Sequence, residues 1–162
     1  MKKSIYFLFV LLFFVFDILS QDGSNKRDRI LFNTPKSFRV VSDSEMSAIY
    51  SNDTCSFEYD VGQKVSSEIE VGFLSSEIIA RLKSESVNFQ IINHDFNYVV
   101  DNKTHFKIIY TKLEDSEKVW CVILLNKTHD RIVKFLFQCK NNYFEESIGH
   151  FKFILNSIGY LD

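Results

Sequence analysis

The chain has 162 residues, 46% of them hydrophobic and 15% aromatic, with 19 Lys and Arg against 21 Asp and Glu for a net charge of −2. That length holds one domain with a sizeable core, and the near balance of charge excludes the basic footprint of a nucleic-acid binder. A single proline and five glycines likewise exclude a low-complexity or fibrous chain.

Lys2 and Lys3 precede an unbroken apolar run from Ile5 to Phe16, and Leu19 and Ser20 stand before a polar stretch that opens at Gln21. This is the build of a secretory signal peptide over residues 1–20. The competing reading, an uncleaved membrane span, needs roughly 20 apolar residues, whereas this run is shorter and Asp17 interrupts it. No cysteine follows the run at once, so a lipid anchor has no attachment point. Without Lys2, Lys3 and Asp17, the 19 basic and 21 acidic residues become 17 and 20, a net charge of −3. Residues 21–34 read as a flexible polar leader whose basic cluster, Lys26, Arg27 and Arg29, suits solvent better than a membrane surface. Pro35 then opens a single folded domain, 35–162, just ahead of the strand-like Phe38 to Val41.

Ser42 with Glu45 three residues on makes a capping-box pattern before Met46, Ala48, Ile49 and Tyr50, which predicts a short helix. Cys55 to Val61 alternates as a strand, with Cys55, Phe57 and Tyr59 on one face. Residues 66–74 fit strand or helix equally. Ser75 or Ser76 caps a second helix through Lys83, with Ile78, Ile79 and Leu82 as its buried side. From Val87 the chain becomes a run of strands: Phe89, Ile91, Phe96, Tyr98 and Val100 alternate, Asp101 to Thr104 turns, and His105 to Leu113 is the next strand, a sheet edge open to a second copy. Asn-Lys-Thr-His occurs at 102–105 and again at 126–129, which reads as one turn chemistry used twice.

Lys118 to Cys139 is a hairpin. With its turn centred on Asp130, Leu125 faces Phe135, Ile123 faces Phe137 and Cys121 faces Cys139; a slip by one residue would set Ile123 against Leu136 and spread apolar side chains over both sheet faces. A helix follows. Asn141 or Asn142 caps it, Glu145 and Glu146 sit at its positive end, Phe144, Ile148, Phe151, Leu155 and Ile158 form one apolar stripe, and Gly159 ends it in the left-handed conformation. The fold class is α+β: an antiparallel β-meander sheet with the C-terminal helix packed on one face and one or two shorter helices.

Three cysteines in an exported chain leave one unpaired. The hairpin register makes Cys121 and Cys139 the candidate disulfide, the alternative being two buried thiols, with a bond from Cys55 to either of them the lesser option; a free Cys55 would be a buried thiol rather than a nucleophile. His94, His105, His129 and His150 lack metal-ligand spacing, and Glu145 and Glu146 point in different directions on a helix. There is no phosphate loop, no Gly-x-Ser-x-Gly elbow and no His-Glu-x-x-His, so no catalytic, cofactor or metal residue is assigned. Asn52, Asn102 and Asn126 head Asn-x-Thr sequons at expected surface turns, while the Asn, Lys, Ile and Phe content suggests a bacterial gene, in which sequons carry no meaning.

The segment from Phe96 to Ile158, a meander closed by a helix ending Phe151-Lys-Phe-Ile154-Leu-Asn-Ser157-Ile158, resembles the second half of the PsbP-like fold, which bacterial DcrB-type domains and a eukaryotic nuclear-import cofactor share. The Thr34-Pro35-Lys-Ser-Phe38 opening is similar to the way such domains begin. The resemblance implies an architecture and an accessory or binding role, with no catalytic set to carry over. The expectation is thus an exported, periplasmic or extracellular, non-enzymatic domain of the cell envelope that acts through an envelope or secreted protein partner, or through a small apolar ligand held between sheet and helix. It carries no nucleic acid and no membrane span after cleavage. The alternative is an immunity or inhibitor protein that neutralises a secreted toxin or enzyme. A hydrolase would instead need distant His, Asp and Glu to converge in a deep pocket.

Overall fold

The structure, a computed structural model, describes residues 25–27, 30–44, 46–64, 71–128 and 131–160. The expected signal peptide, the turn centre at 129–130 and most of the ambiguous 66–74 stretch lie outside them. In order the elements are β1 (Asn25–Arg27), β2 (Ile30–Phe32), β3 (Arg39–Asp43), β4 (Ser47–Ser51), β5 (Cys55–Lys64), α1 (Val71–Glu85), β6 (Val87–Val100), β7 (Lys103–Glu114), β8 (Glu117–Thr128), β9 (Arg131–Lys140), α2 (Phe144–Ser157) and β10 (Gly159–Tyr160). The described strands form a seven-stranded antiparallel sheet, β3-β4-β5-β9-β8-β7-β6, and a three-stranded one, β1-β2-β10. This is the expected α+β meander with a C-terminal helix.

Local chemistry explains the tight meander. Asp101 and Asn102 have φ of 46° and 59°, and Asp115 and Ser116 have 49° and 68°, so each pair makes a two-residue turn with both centres left-handed. Such turns match the twist of the strands they join, and after glycine Asn and Asp tolerate them best. Val100 therefore pairs with Lys103, and Glu114 with Glu117.

Both faces of the central strands are buried. Val122 and Leu124 of β8 pack with Phe57, Tyr59, Phe135 and Phe137 beneath Phe151, Ile154 and Leu155 of α2. Cys121, Ile123 and Leu125 point the other way, joining Phe106, Ile108 and Tyr110 beneath Ile78, Ile79 and Leu82 of α1. The expected hairpin register is accordingly off by one: Leu124 pairs with Phe135, Ile123 with Leu136 and Trp120 with Cys139. Apolar alternation pins a register only when one face is wet, and β8 has no wet face along Cys121 to Leu125.

Other expectations change for equally local reasons. Ser47–Ser51 forms a strand where a short helix was expected, because Ser44 turns the chain by accepting from the Ser47 amide at 3.1 Å and Ala48 and Tyr50 are buried with a period of two. Helix α1 begins at Val71, so Ser75 is a buried helical residue and not a cap. Helix α2 has no side-chain cap; a 3-10 turn, Asn141–Tyr143, leads into it, and Asn141 Oδ1 accepts from Trp120 Nε1 at 2.8 Å. Gly159 lies in extended β10 rather than in a left-handed cap, and pairs with Leu31. The folded domain starts before Pro35, since Ile30 and Phe32 of the supposed leader are wholly buried. Strand β7 is interior, the sheet edges being β3 and β6.

Candidate functional site

At one end of the large sheet three segments meet: the β4–β5 turn, the β7–β8 turn and the end of β9. Asn52 shapes the first, its Oδ1 accepting from the amides of Thr54 at 3.0 Å and Cys55 at 2.8 Å, the side-chain mimic of a backbone turn. Between the segments lies an open groove of about 480 Å³, lined by Asn52, Asp53 and Thr54, by Glu114, Asp115 and Glu117, and by Gln138, Cys139 and Lys140 among others. Lys140 pairs with Glu117 at 3.0 Å, and nearby Lys112 with Glu114 at 2.8 Å. Acid therefore exceeds base along the groove.

A disulfide between Cys55 and Cys139 borders this groove. The two residues face each other across β5 and β9 with Cα atoms 4.3 Å apart. The Lys140 amide donates to Thr54 O just beside them, which makes Cys55–Cys139 a non-hydrogen-bonded pair, the closer of the two antiparallel pair types and the one whose side chains can bridge. The expected Cys121–Cys139 bond is thus replaced. Cys121 projects to the α1 face opposite Gln138, to whose Oε1 its thiol donates at 3.7 Å. Burial pushes that thiol up to about 11, the Tyr110 hydrogen bond and the Lys112 charge opposing only in part, so it is no nucleophile.

The remaining candidates stay apart. His94 meets the edge of Phe96, and His150 meets that of Phe38; His129 lies outside the described residues. Among the described residues no three of His, Cys, Asp and Glu are placed to hold a metal. Of the sequon asparagines, Asn102 is exposed in a turn, but Asn126 is a buried strand residue whose Nδ2 donates to Thr104 O at 2.7 Å, contrary to the expected surface turn. The interior between α2 and the sheet, expected to hold an apolar ligand, is filled by stacked and edge-on rings of Phe32, Phe57, Phe135, Phe137 and Phe151 with centroids 5.4 to 6.3 Å apart.

Sequence reasoning missed one polar cluster. His105, wholly buried, has Nδ1 2.9 Å from Lys103 O and Nε2 2.5 Å from the Tyr160 hydroxyl. Asp101 Oδ2 accepts from the Tyr160 amide at 2.8 Å. Burial lowers the proton affinity of His105, with hydrogen bonding to the Lys103 and Tyr98 backbone partly opposing, and raises the pKa of the Tyr160 phenol.

No family model matches the sequence, and no curated protein matches it. Solved structures do. The Ran-binding protein Mog1p of Saccharomyces cerevisiae superposes with a TM-score of 0.59 at 8% identity, over 83% of this chain and 91% of that one. The PsbP protein of the cyanobacterium Synechocystis, CyanoP, gives 0.59 at 10%, over 85% and 89%. LpqN of Mycobacterium tuberculosis, described as involved in cell envelope biogenesis, gives 0.58 at 8%, over 87% and 88%. The chain has a PsbP/Mog1-like fold, and at these identities the likeness is one of fold alone.

Proposed function

We propose that this chain is an exported, non-enzymatic accessory domain that works by holding a protein partner in the groove between the β4–β5 and β7–β8 turns. The observation that carries the reading is the groove itself: open, acid-rich and built from two turns and a strand end braced by a disulfide, with no histidine or free thiol in its lining. A partner presenting Lys or Arg would gain electrostatic complementarity there, which raises the rate and specificity of association. The disulfide suits an oxidising compartment, and no helix among the described residues is long and apolar enough to cross a membrane. A fold shared with a Ran-binding protein and with an envelope-biogenesis protein agrees with binding as its use.

An inhibitor of a secreted toxin or enzyme is a special case of the same reading, separated by what the partner does. The test is affinity capture of the tagged mature protein from its native envelope or secreted fraction, repeated with Glu114→Lys/Asp115→Lys. We expect one stoichiometric partner whose affinity falls at least roughly tenfold in that variant and is unchanged in Lys152→Glu on the outer side of α2. A partner retained equally by all three proteins would refute the groove as its seat, and a toxin or hydrolase among the captured proteins would select the inhibitor form.

A further inference from the structure

The N-terminal strand β2 is held in an unusual way. Phe32 inserts among Tyr50, Phe57, Tyr59 and Phe135, with ring centroids 5.3 to 6.3 Å from each, and Ile30 is equally buried beside it. Yet β2 is absent from the large sheet. Its backbone pairs with β1 and with two-residue β10, and Asn33 N donates to Ser157 Oγ at 2.8 Å. Strand β10 in turn is fastened to the large sheet through Tyr160, by its amide to Asp101 and its hydroxyl to His105. The Lys103 carbonyl assigns the His105 proton to Nδ1, so Nε2 accepts from the Tyr160 hydroxyl; protonation makes Nε2 a donor, which reverses this bond and puts a charge on a wholly buried ring.

We propose that β2 is a releasable plug: the Tyr160–His105 bond latches β10, β10 and Ser157 hold β2, and acid opens the latch so that Ile30 and Phe32 leave the aromatic seat between α2 and the sheet. The groups facing His105 are Tyr98 directly across on β6, Asp101 in the β6–β7 turn, Tyr160 on β10, and Lys107 two residues on, whose Nζ lies 3.8 Å from the Tyr98 ring centroid. Asp101 is the one carboxylate among them and is engaged by the Tyr160 amide, so the closed form offers an imidazolium little compensation. Once opened, the imidazole meets water and takes up its proton near the ordinary pKa of about 6.5. The closed form is therefore held in full above that pH and loses ground as pH falls through the lowered native value.

Hydrogen exchange of the full mature chain tests this, read on the peptide covering residues 30–33 and corrected for intrinsic rates. Protection should fall at least roughly tenfold between about pH 7.5 and about pH 5, while peptides in β7 to β9 keep theirs, and binding of an apolar dye should rise in step. In His105→Gln, which cannot be protonated, the fall should vanish. Tyr160→Phe, which keeps the ring but removes the latch hydroxyl, should leave residues 30–33 weakly protected at both pH values. Unchanged protection at low pH, an equal fall in His105→Gln, or full protection in Tyr160→Phe would each overturn the proposal.

Discussion

The two faces of the large sheet are built on different plans. The α2 face gathers aromatic rings, the disulfide crosses its strands β5 and β9, and segments far apart in sequence close over it, β2 from one side and α2 with β10 from the other. The α1 face is largely aliphatic, around Ile108, Ile123 and Leu125, and its helix offers Ile78, Ile79 and Leu82, each only half-buried. Toward β5 that second face turns polar, with Lys134 bridging Glu58 at 2.6 Å and Asp60 at 3.6 Å. A strand such as β8 with apolar side chains on both sides needs two covers, and here one cover is thick and stapled while the other is thin.

The largest expected effect probes the thick cover. Phe135 touches Phe32, Phe57 and Tyr59, so Phe135→Ala should lower unfolding stability by about 3 to 5 kcal/mol in denaturant titration; a loss below about 1 kcal/mol would mean that the rings can collapse into the gap. Replacing both Cys55 and Cys139 by Ala should cost about 2 to 4 kcal/mol, because the bond closes a loop of 84 residues in sequence separation. Non-reduced peptide mapping should show Cys55 linked to Cys139, and a link to Cys121 would break the β5–β9 register. The smallest effect probes the thin cover. Leu82→Ala should cost roughly 1 to 2 kcal/mol and speed alkylation of Cys121 measured below the unfolding midpoint. In the unaltered protein a thiol at about 11 is about one part in a thousand thiolate at pH 8, so labelling there should be slow. Equal labelling in the two proteins would show that α1 does not shield that face.

Features carried by neighbouring residues were legible in the sequence. The α2 stripe at Phe151 and Leu155, the β5 face of Cys55, Phe57 and Tyr59, and the meander turn at 101–102 all follow from periodicity and turn chemistry. What failed was non-local. The pairing of β5 with β9 joins residues about eighty positions apart, and nothing in either strand announces the other, so the cysteine partner was misassigned. The burial of Ile30 and Phe32 depends on β10 arriving beside β2 from the far end of the chain. The groove needs two turns and the end of β9 to converge, and each turn alone reads as an ordinary solvated loop.

The disulfide also divides the chain into a covalent ring and two free arms. Helix α1 and strands β6 to β8 lie inside the ring, whereas β1 to β4 and α2 with β10 lie outside it. A protease that nicks the exposed turn at Asp101 and Asn102 would cut a ring, and the two pieces would stay tied at Cys55 and Cys139. A nick in the segment 33–38 would sever an arm, and β1 with β2 would then be held through Ser157, β10 and the buried seats of Ile30 and Phe32. The molecule is thus tolerant of damage in its middle and able to shed its N-terminal strap by a single cleavage.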